Sequence, residues 1–318
     1  MACSCPLTGY RSNEFTKNGK QKIVLSSRKL VQFYGGNLKI PKQLILKLPC
    51  GKCDGCRLER SRQWAIRCVH EASLYENNCF ITLTYSPEYV PEDMSLRLSD
   101  FQDFMKRLRR NYDYHRGGKD VRYYHSGEYG ENFGRPHYHA LLFNYYFKDL
   151  YYWRTSDTGN PVFRSPTLEK LWPFGYSEVG SVTFNSAAYV ARYIMKKVTG
   201  NKADDHYVFQ HPVTGEVTWR DPEYSTMSRK PGIARAWFEK HHQDVFPKDM
   251  VLINGKKQKP PRFYDSLFEI FYPQDYELMK LKRTLNAREQ DDSPRRLMVL
   301  HELNSLRAKK LVRTLDKN

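Results

Sequence analysis

The ten residues GRPHYHALLF (134–143) restrict the fold of this chain more than any other stretch. The run reads as a β-strand, and side chains on a strand alternate between its two faces. His137 and His139 therefore stand side by side, and Tyr138 points the other way. ALLF then carries the strand into a core. Two imidazoles on one sheet face can be half of a metal site. They can equally be two solvated or hydrogen-bonded histidines.

The periodicities around this strand predict its neighbours. Residues 57–78 place Trp64, Ile66, Val69 and Leu74 at helical intervals. CFITLTYSP (79–87) predicts a strand ended by Pro87. LSDFQDFMKRLRRNY (98–112) predicts a helix capped by Ser99 or Asp100, with Phe101, Phe104, Met105 and Leu108 on one stripe. VRYYHSGEYG (121–130) predicts a strand running into a turn. After PHYHALLF comes a loop rich in Tyr, Gly and Pro. YSEVGSVTF (176–184) predicts another strand, and SAAYVARYIMKKV (186–198) a helix with Ser186 near its cap. The order β, α, β, β, β, α with short links implies an α+β fold, an antiparallel β-sheet flanked by helices. Farther on, HYVFQHPVTGEVTW predicts a hairpin. MSRKPGIARAWFEKHH (227–242) predicts a basic loop leading into a helix, and 274–290 and 294–316 predict two charged helices. The expected organisation is a basic, Cys-containing N-terminal segment (1–62), a core (63–200) and a C-terminal extension (201–318) for DNA binding or packing.

Charge narrows the partner. The chain has 318 residues and carries 52 Lys+Arg against 35 Asp+Glu, a net +17. Residues 1–62 alone hold thirteen Lys/Arg against three Asp/Glu. So positive a balance favours a polyanion, most simply nucleic acid. Many of the 23 tyrosines lie among basic residues, as in RLRRNYDYHRGGKDVRYYH (107–125). Such aromatic faces stack on unpaired bases while Lys and Arg follow the phosphates; they are also ordinary strand material. No run of eighteen apolar residues exists, and the first fifteen residues lack a signal peptide's apolar stretch. The expected location is a reducing cytoplasm.

A second stretch, AAYVARYIMKK (187–197), sets Tyr189 and Tyr193 four residues apart, hence on one helical face, with Lys196 on the same stripe. A tyrosine can act as a covalent nucleophile. Attack on a phosphodiester yields a phosphotyrosine bond and a free 3′-hydroxyl, and resealing then needs no ATP. A free phenol, with a pKa near about 10, is a poor nucleophile at neutral pH. A nearby cation such as Lys196 favours the phenolate. The bland alternative is an amphipathic helix with two tyrosines in the core.

Together the two stretches resemble the HUH endonucleases, in which two histidines flank a usually hydrophobic residue and a downstream helix carries one or two nucleophilic tyrosines. HYH (137–139) and YVARYIMK (189–196) match that pattern. Arg192 stands where the two-tyrosine motif often has Lys. The wider frame is similar to the replication initiators of the gokushovirus branch of the microviruses. The likeness rests on CGKCDGCR (50–57), FITLTY (80–85), GEYGENFGRPHYHALLF (127–143), the tyrosine helix and MSRKPGI (227–233). The resemblance implies an RRM-like core and a metal-dependent nickase acting on viral origin DNA, single-stranded or supercoiled. Tyr189, Tyr193 and Lys196 would carry the chemistry, and Arg192, Lys197, Arg229 and Lys230 would contact DNA. It implies a third metal ligand from the neighbouring strand: Glu128, with Glu131 as runner-up. It also implies host helicase and polymerase as partners in the host cytoplasm. No GxxxxGK[ST] loop is present, so an intrinsic helicase is not expected. The rival expectations are a plasmid relaxase or transposase of the same type and a non-catalytic nucleic-acid-binding protein.

Two imidazoles with a carboxylate would accept Mg²⁺ or Mn²⁺. The cysteines suggest a second metal: Cys50, Cys53 and Cys56 recur at x₂ intervals, and Cys3 and Cys5 lie near the start. A structural zinc could draw on both segments; reduced structural thiols are the alternative. Cys68 and Cys79 read as core residues.

Overall fold

The computed structural model describes residues 3–17, 19–25, 45–116, 121–130, 134–156, 158–192, 197–198, 200, 203–211, 213–246, 248–288 and 291–310. The chain forms two compact units, one from residues 1–60 with 288–312, and a larger one from residues 61–287. In the smaller unit β1 (Leu7–Phe15), β2 (Gln21–Leu25) and β3 (Ile45–Leu48) form an antiparallel sheet in the order β2–β1–β3.

In the larger unit, strand alternation produces a seven-stranded antiparallel sheet. Its members are β4 (Asn78–Tyr85), β5 (Arg122–Tyr129), β6 (Pro136–Phe143), β7 (Tyr151–Thr155), β8 (Pro161–Arg164) and β9 (Gly175–Gly180). After the small hairpin β10 (Val208–Gln210) and β11 (Val217–Trp219), β12 (Tyr224–Met227) completes the sheet. The order is β12–β5–β6–β4–β9–β8–β7. A further hairpin, β13 (Val251–Ile253) and β14 (Lys256–Gln258), lies outside it.

Both faces of the sheet are covered, which is why every residue of β6 is buried. One face presents Ile81, Leu83, Ala140 and Leu142 to Phe101, Phe104, Met105 and Leu108 of helix α2 (Leu98–Arg116). That i, i+3, i+4, i+7 spacing is the expected helical stripe. The other face presents Phe80, Tyr124 and Leu141 to α1 (Asp54–Ala72) and to α4 (Phe184–Arg192), which follows the one-and-a-half-turn α3 (Pro166–Leu171). Each large apolar side chain buried this way contributes about 1.5–3 kcal/mol. Cys68 and Cys79 are core residues, as expected. The rest of the unit is helical: α5 (Ala203–Tyr207), α6 (Arg235–Val245), α7 (Arg262–Phe271) and α8 (Pro273–Arg288). The smaller unit takes α9 (Pro294–Lys310). No helix among the described residues is long and apolar enough to cross a membrane.

Local capping explains where the observed elements differ from the sequence reading. The predicted strand over 176–184 stops at Gly180, because α4 starts early. Thr183 N donates to Ser186 Oγ (2.8 Å) and Ser186 N donates to Thr183 Oγ1 (3.1 Å), a reciprocal capping box that pulls Phe184 into the helix. Helix α2 begins at Leu98, so Ser99 and Asp100 lie in its first turn and not at its cap. Asp100 instead accepts a hydrogen bond from the Tyr85 hydroxyl at 2.5 Å. The stretch read as a loop after β6 holds β7, β8 and α3. Ser165 caps α3 by accepting from Leu168 N at 3.1 Å, with Pro166 in the first turn.

Candidate active site

The β5–β6 hairpin builds the centre of the site. Its register sets Glu128 directly opposite His137 and Ser126 opposite His139. The turn that fixes this register is closed by Gly130 N donating to Arg135 O (3.0 Å), with Gly134 at φ +60°. Glu131 lies outside the described residues. Residues paired across antiparallel strands share a face, so Glu128, His137 and His139 project together, at the end of the sheet where the apolar row of Phe80 and Leu141 gives way to polar groups.

Glu128 Oε1 lies 2.8 Å from Nε2 of His137 and 2.8 Å from Nε2 of His139. All three side chains are buried, Glu128 completely. The outer nitrogens are also engaged: His137 Nδ1 meets Arg135 O at 3.1 Å, and His139 Nδ1 meets Thr82 Oγ1 at 3.1 Å. A carbonyl can only accept, so His137 Nδ1 carries a proton. A neutral His137 would then turn its Nε2 lone pair onto a carboxylate. Either a second proton or a cation has to lie between them. The donor set fits a cation: one atom from each residue, all within 4.8 Å of one another, with each ring oriented from behind. Burial pushes the Glu128 carboxyl up, but the two imidazoles outweigh it and hold it below the usual carboxylate range.

Helix α4 brings a tyrosine to this cluster. Ser61 Oγ donates to Ala188 O at 3.0 Å and ties α4 to α1. The Tyr189 ring stands edge-on to His139 (5.2 Å, 80°) and to Phe80 (6.3 Å, 88°). The Arg192 guanidinium lies 5.8 Å from the Tyr189 ring centre. Tyr193 and Lys196 lie outside the described residues, and Lys197 is half-buried. Arg229 and Lys230 are exposed on the loop after β12. That loop leaves at the Tyr123 end of β5, where Tyr123 N donates to Ser228 Oγ, whereas Glu128 lies at the other end.

Several residues on the site face escaped the sequence reading. Thr82 pairs with His139 on one side and with Glu178 on the other, and Thr84 pairs with His137 and Tyr176. The signal was present in FITLTY, whose alternation puts Thr82 and Thr84 opposite the apolar Ile81 and Leu83. Glu178 pairs with Arg154 at 3.0 Å. Nearby β7 exposes Tyr151, Tyr152 and Trp153, with Trp153 at a bulge and the Arg164 guanidinium 4.2 Å from its ring centre. In the smaller unit, Cys3, Cys50, Cys53 and Cys56 gather, while Cys5 is exposed and outside the group.

Comparison with known proteins follows the same residues. The family of replication-associated proteins typified by ORF2 matches residues 78–198, a span that holds the histidines, Glu128 and Tyr189. The replication-associated protein VP4 of Bdellovibrio phage phiMH2K is 36% identical over 259 residues, 79% of this chain and 77% of the relative. The replication-associated protein ORF2 of Spiroplasma virus 4 is 33% identical over 244 residues, 74% of this chain and 72% of the relative. The replication-associated protein ORF4 of Chlamydia phage 1 is 29% identical over 267 residues, 83% of this chain and 62% of the relative. No solved structure matches the chain.

Proposed function

The chain belongs to the replication-associated proteins of gokushovirus-type microviruses, and from that premise we propose that it initiates rolling-circle replication by nicking viral origin DNA through a tyrosine. One observation carries the reading: the Tyr189 ring rests against His139, a member of the buried Glu128–His137–His139 cluster.

In this reading Tyr189 or Tyr193 attacks the scissile phosphorus. A bond forms between the phenolic oxygen and phosphorus, and the bond from phosphorus to the 3′ oxygen breaks. The 3′ oxygen takes a proton and leaves as a hydroxyl, free for a host polymerase to extend. The 5′ phosphate stays on the tyrosine, so one phosphodiester replaces another and religation needs no external energy. Lys196 takes up the phenol proton or binds the phosphate. A divalent cation, Mn²⁺ or Mg²⁺, held by His137, His139 and Glu128 would neutralise charge developing at the phosphate. After one round the second tyrosine cleaves the regenerated origin, and the released 3′-hydroxyl attacks the first phosphotyrosine to close a circle. Exposed Tyr151, Tyr152, Trp153 and Tyr176 offer stacking faces for the unpaired bases of the origin. Unwinding falls to a host helicase, and the setting is the host cytoplasm.

The test is a labelled origin strand incubated with Mn²⁺ or Mg²⁺ and run on a denaturing gel. Wild type should form a covalent protein–DNA adduct. Tyr189→Phe together with Tyr193→Phe should abolish it, as should His137→Ala, and the single tyrosine variants rank the nucleophiles. DNA that is retarded on native gels but uncut in every lane would replace this reading with a non-catalytic binding protein.

A further inference from the structure

The smaller unit lacks the usual source of stability. Among its described residues the only buried apolar side chain is Cys3; Ser4 and Asn304 are the buried polar ones. Leu7, Phe15, Ile23 and Leu25 of its sheet and Met298 and Leu306 of α9 are exposed. A three-stranded sheet without an apolar core does not hold together in water unaided. Some other cross-link has to supply the missing free energy.

The cysteines are placed to do so. Cys53 Sγ lies 3.8 Å from Cys3 Sγ, and Cys50 Sγ lies 4.0 Å from Cys56 Sγ. All four sulfurs fall within 4.8 Å of one another. Zinc held by four thiolates at about 2.3 Å has sulfur–sulfur edges of about 3.8 Å by simple tetrahedral geometry. A multi-iron cluster would spread the sulfurs wider. The backbone already treats these sulfurs as acceptors: Cys50 N donates to Cys3 Sγ and Cys53 N donates to Cys50 Sγ, each at 3.3 Å. Gly51 between them takes φ +76°, the left-handed turn that lets two cysteines three residues apart face one point.

We propose that Cys3, Cys50, Cys53 and Cys56 bind one Zn²⁺ as four thiolates, and that the ion serves as the core of the smaller unit. The site is independent of the nicking chemistry. It joins the chain start to the turn that precedes α1. Because Ser4 Oγ meets His301 Nδ1 at 3.2 Å, anchoring Cys3 also holds the chain start against α9. Lys47 of β3 pairs with Asp292 and adds a second tie within the unit. Cys5 takes no part.

The full-length chain, purified under reducing conditions and dialysed against metal-free buffer, should retain a full equivalent of zinc by mass spectrometry. Cys53→Ser and Cys56→Ser should each lose it, while Cys5→Ser retains it. Since a Cys→Ser chain can fail to fold, the wild-type protein exchanged with Co²⁺ gives an independent readout. It should show the sulfur-to-cobalt charge-transfer band and strong tetrahedral bands, and should keep them in His137→Ala, which separates this site from the histidine cluster. Stripping the metal should expose residues 1–60 and 288–312 to protease before 61–287. A folded wild-type chain without stoichiometric zinc, a cobalt spectrum without the thiolate band, or loss of zinc in Cys5→Ser to the same extent as in Cys53→Ser would overturn the proposal.

Discussion

Glu128 is a carboxylate with no exposed surface, and a buried charge is tolerated only when it is paired. Its partners are two imidazoles, themselves held from behind by a backbone carbonyl and a threonine hydroxyl. Such outer contacts set ring orientation and ligand strength. Thr82→Val keeps the shape of the side chain and removes only the oxygen behind His139. The expected result is Mn²⁺ binding weakened by about 10–100-fold with an unchanged fold, read by titration of the free-ion paramagnetic signal. An unaltered affinity would remove Thr82 from the site. At this scale much was legible. Strand alternation alone puts His137 beside His139, and nine residues with a glycine-bearing turn between Glu128 and His137 suit a hairpin. Thr82 was not singled out, although the alternation in FITLTY marks its face, because which strand would lie beside His139 is a tertiary choice.

The elements show why neighbouring segments were harder to read. Helix α2 and strands β4, β5 and β6 carry long, unambiguous periods and formed where the sequence predicted. Strands β7 and β8 and the six-residue α3 are too short to show a period, and β12 has no apolar run of its own; each exists because a paired edge or a cap completes it. Strand β9 depends on one such contact. Gly175 adopts φ +151°, and a Cβ there would lie 2.2 Å from Ser86 N and 2.5 Å from Thr84 O. Gly175→Ala should push β9 away from β4 where they pair, displacing Tyr176 and Glu178 on the site face. A loss of about 2–3 kcal/mol is expected, measured by denaturant unfolding; a wild-type midpoint would mean that the end of the sheet yields without cost.

For the whole molecule, a net +17 makes phosphate contacts the largest contribution to DNA affinity. Binding to single-stranded origin DNA should weaken linearly in log–log form with salt, with a slope steeper than about −3, as four or more neutralised phosphates require. A flat salt profile in an anisotropy titration would show that the basic surface is not the binding surface. The sequence by itself determined the class of fold, the shared face of the two histidines and the helical face of Tyr189, because period and alternation are properties of the local backbone. Only the tertiary structure decided that Glu128 would bridge both rings, that Tyr189 would rest on His139, and that Cys3 and not Cys5 would join Cys50, Cys53 and Cys56. Those pairings depend on strand register and on contacts between distant segments, such as Ser61 with Ala188, and no local pattern encodes either.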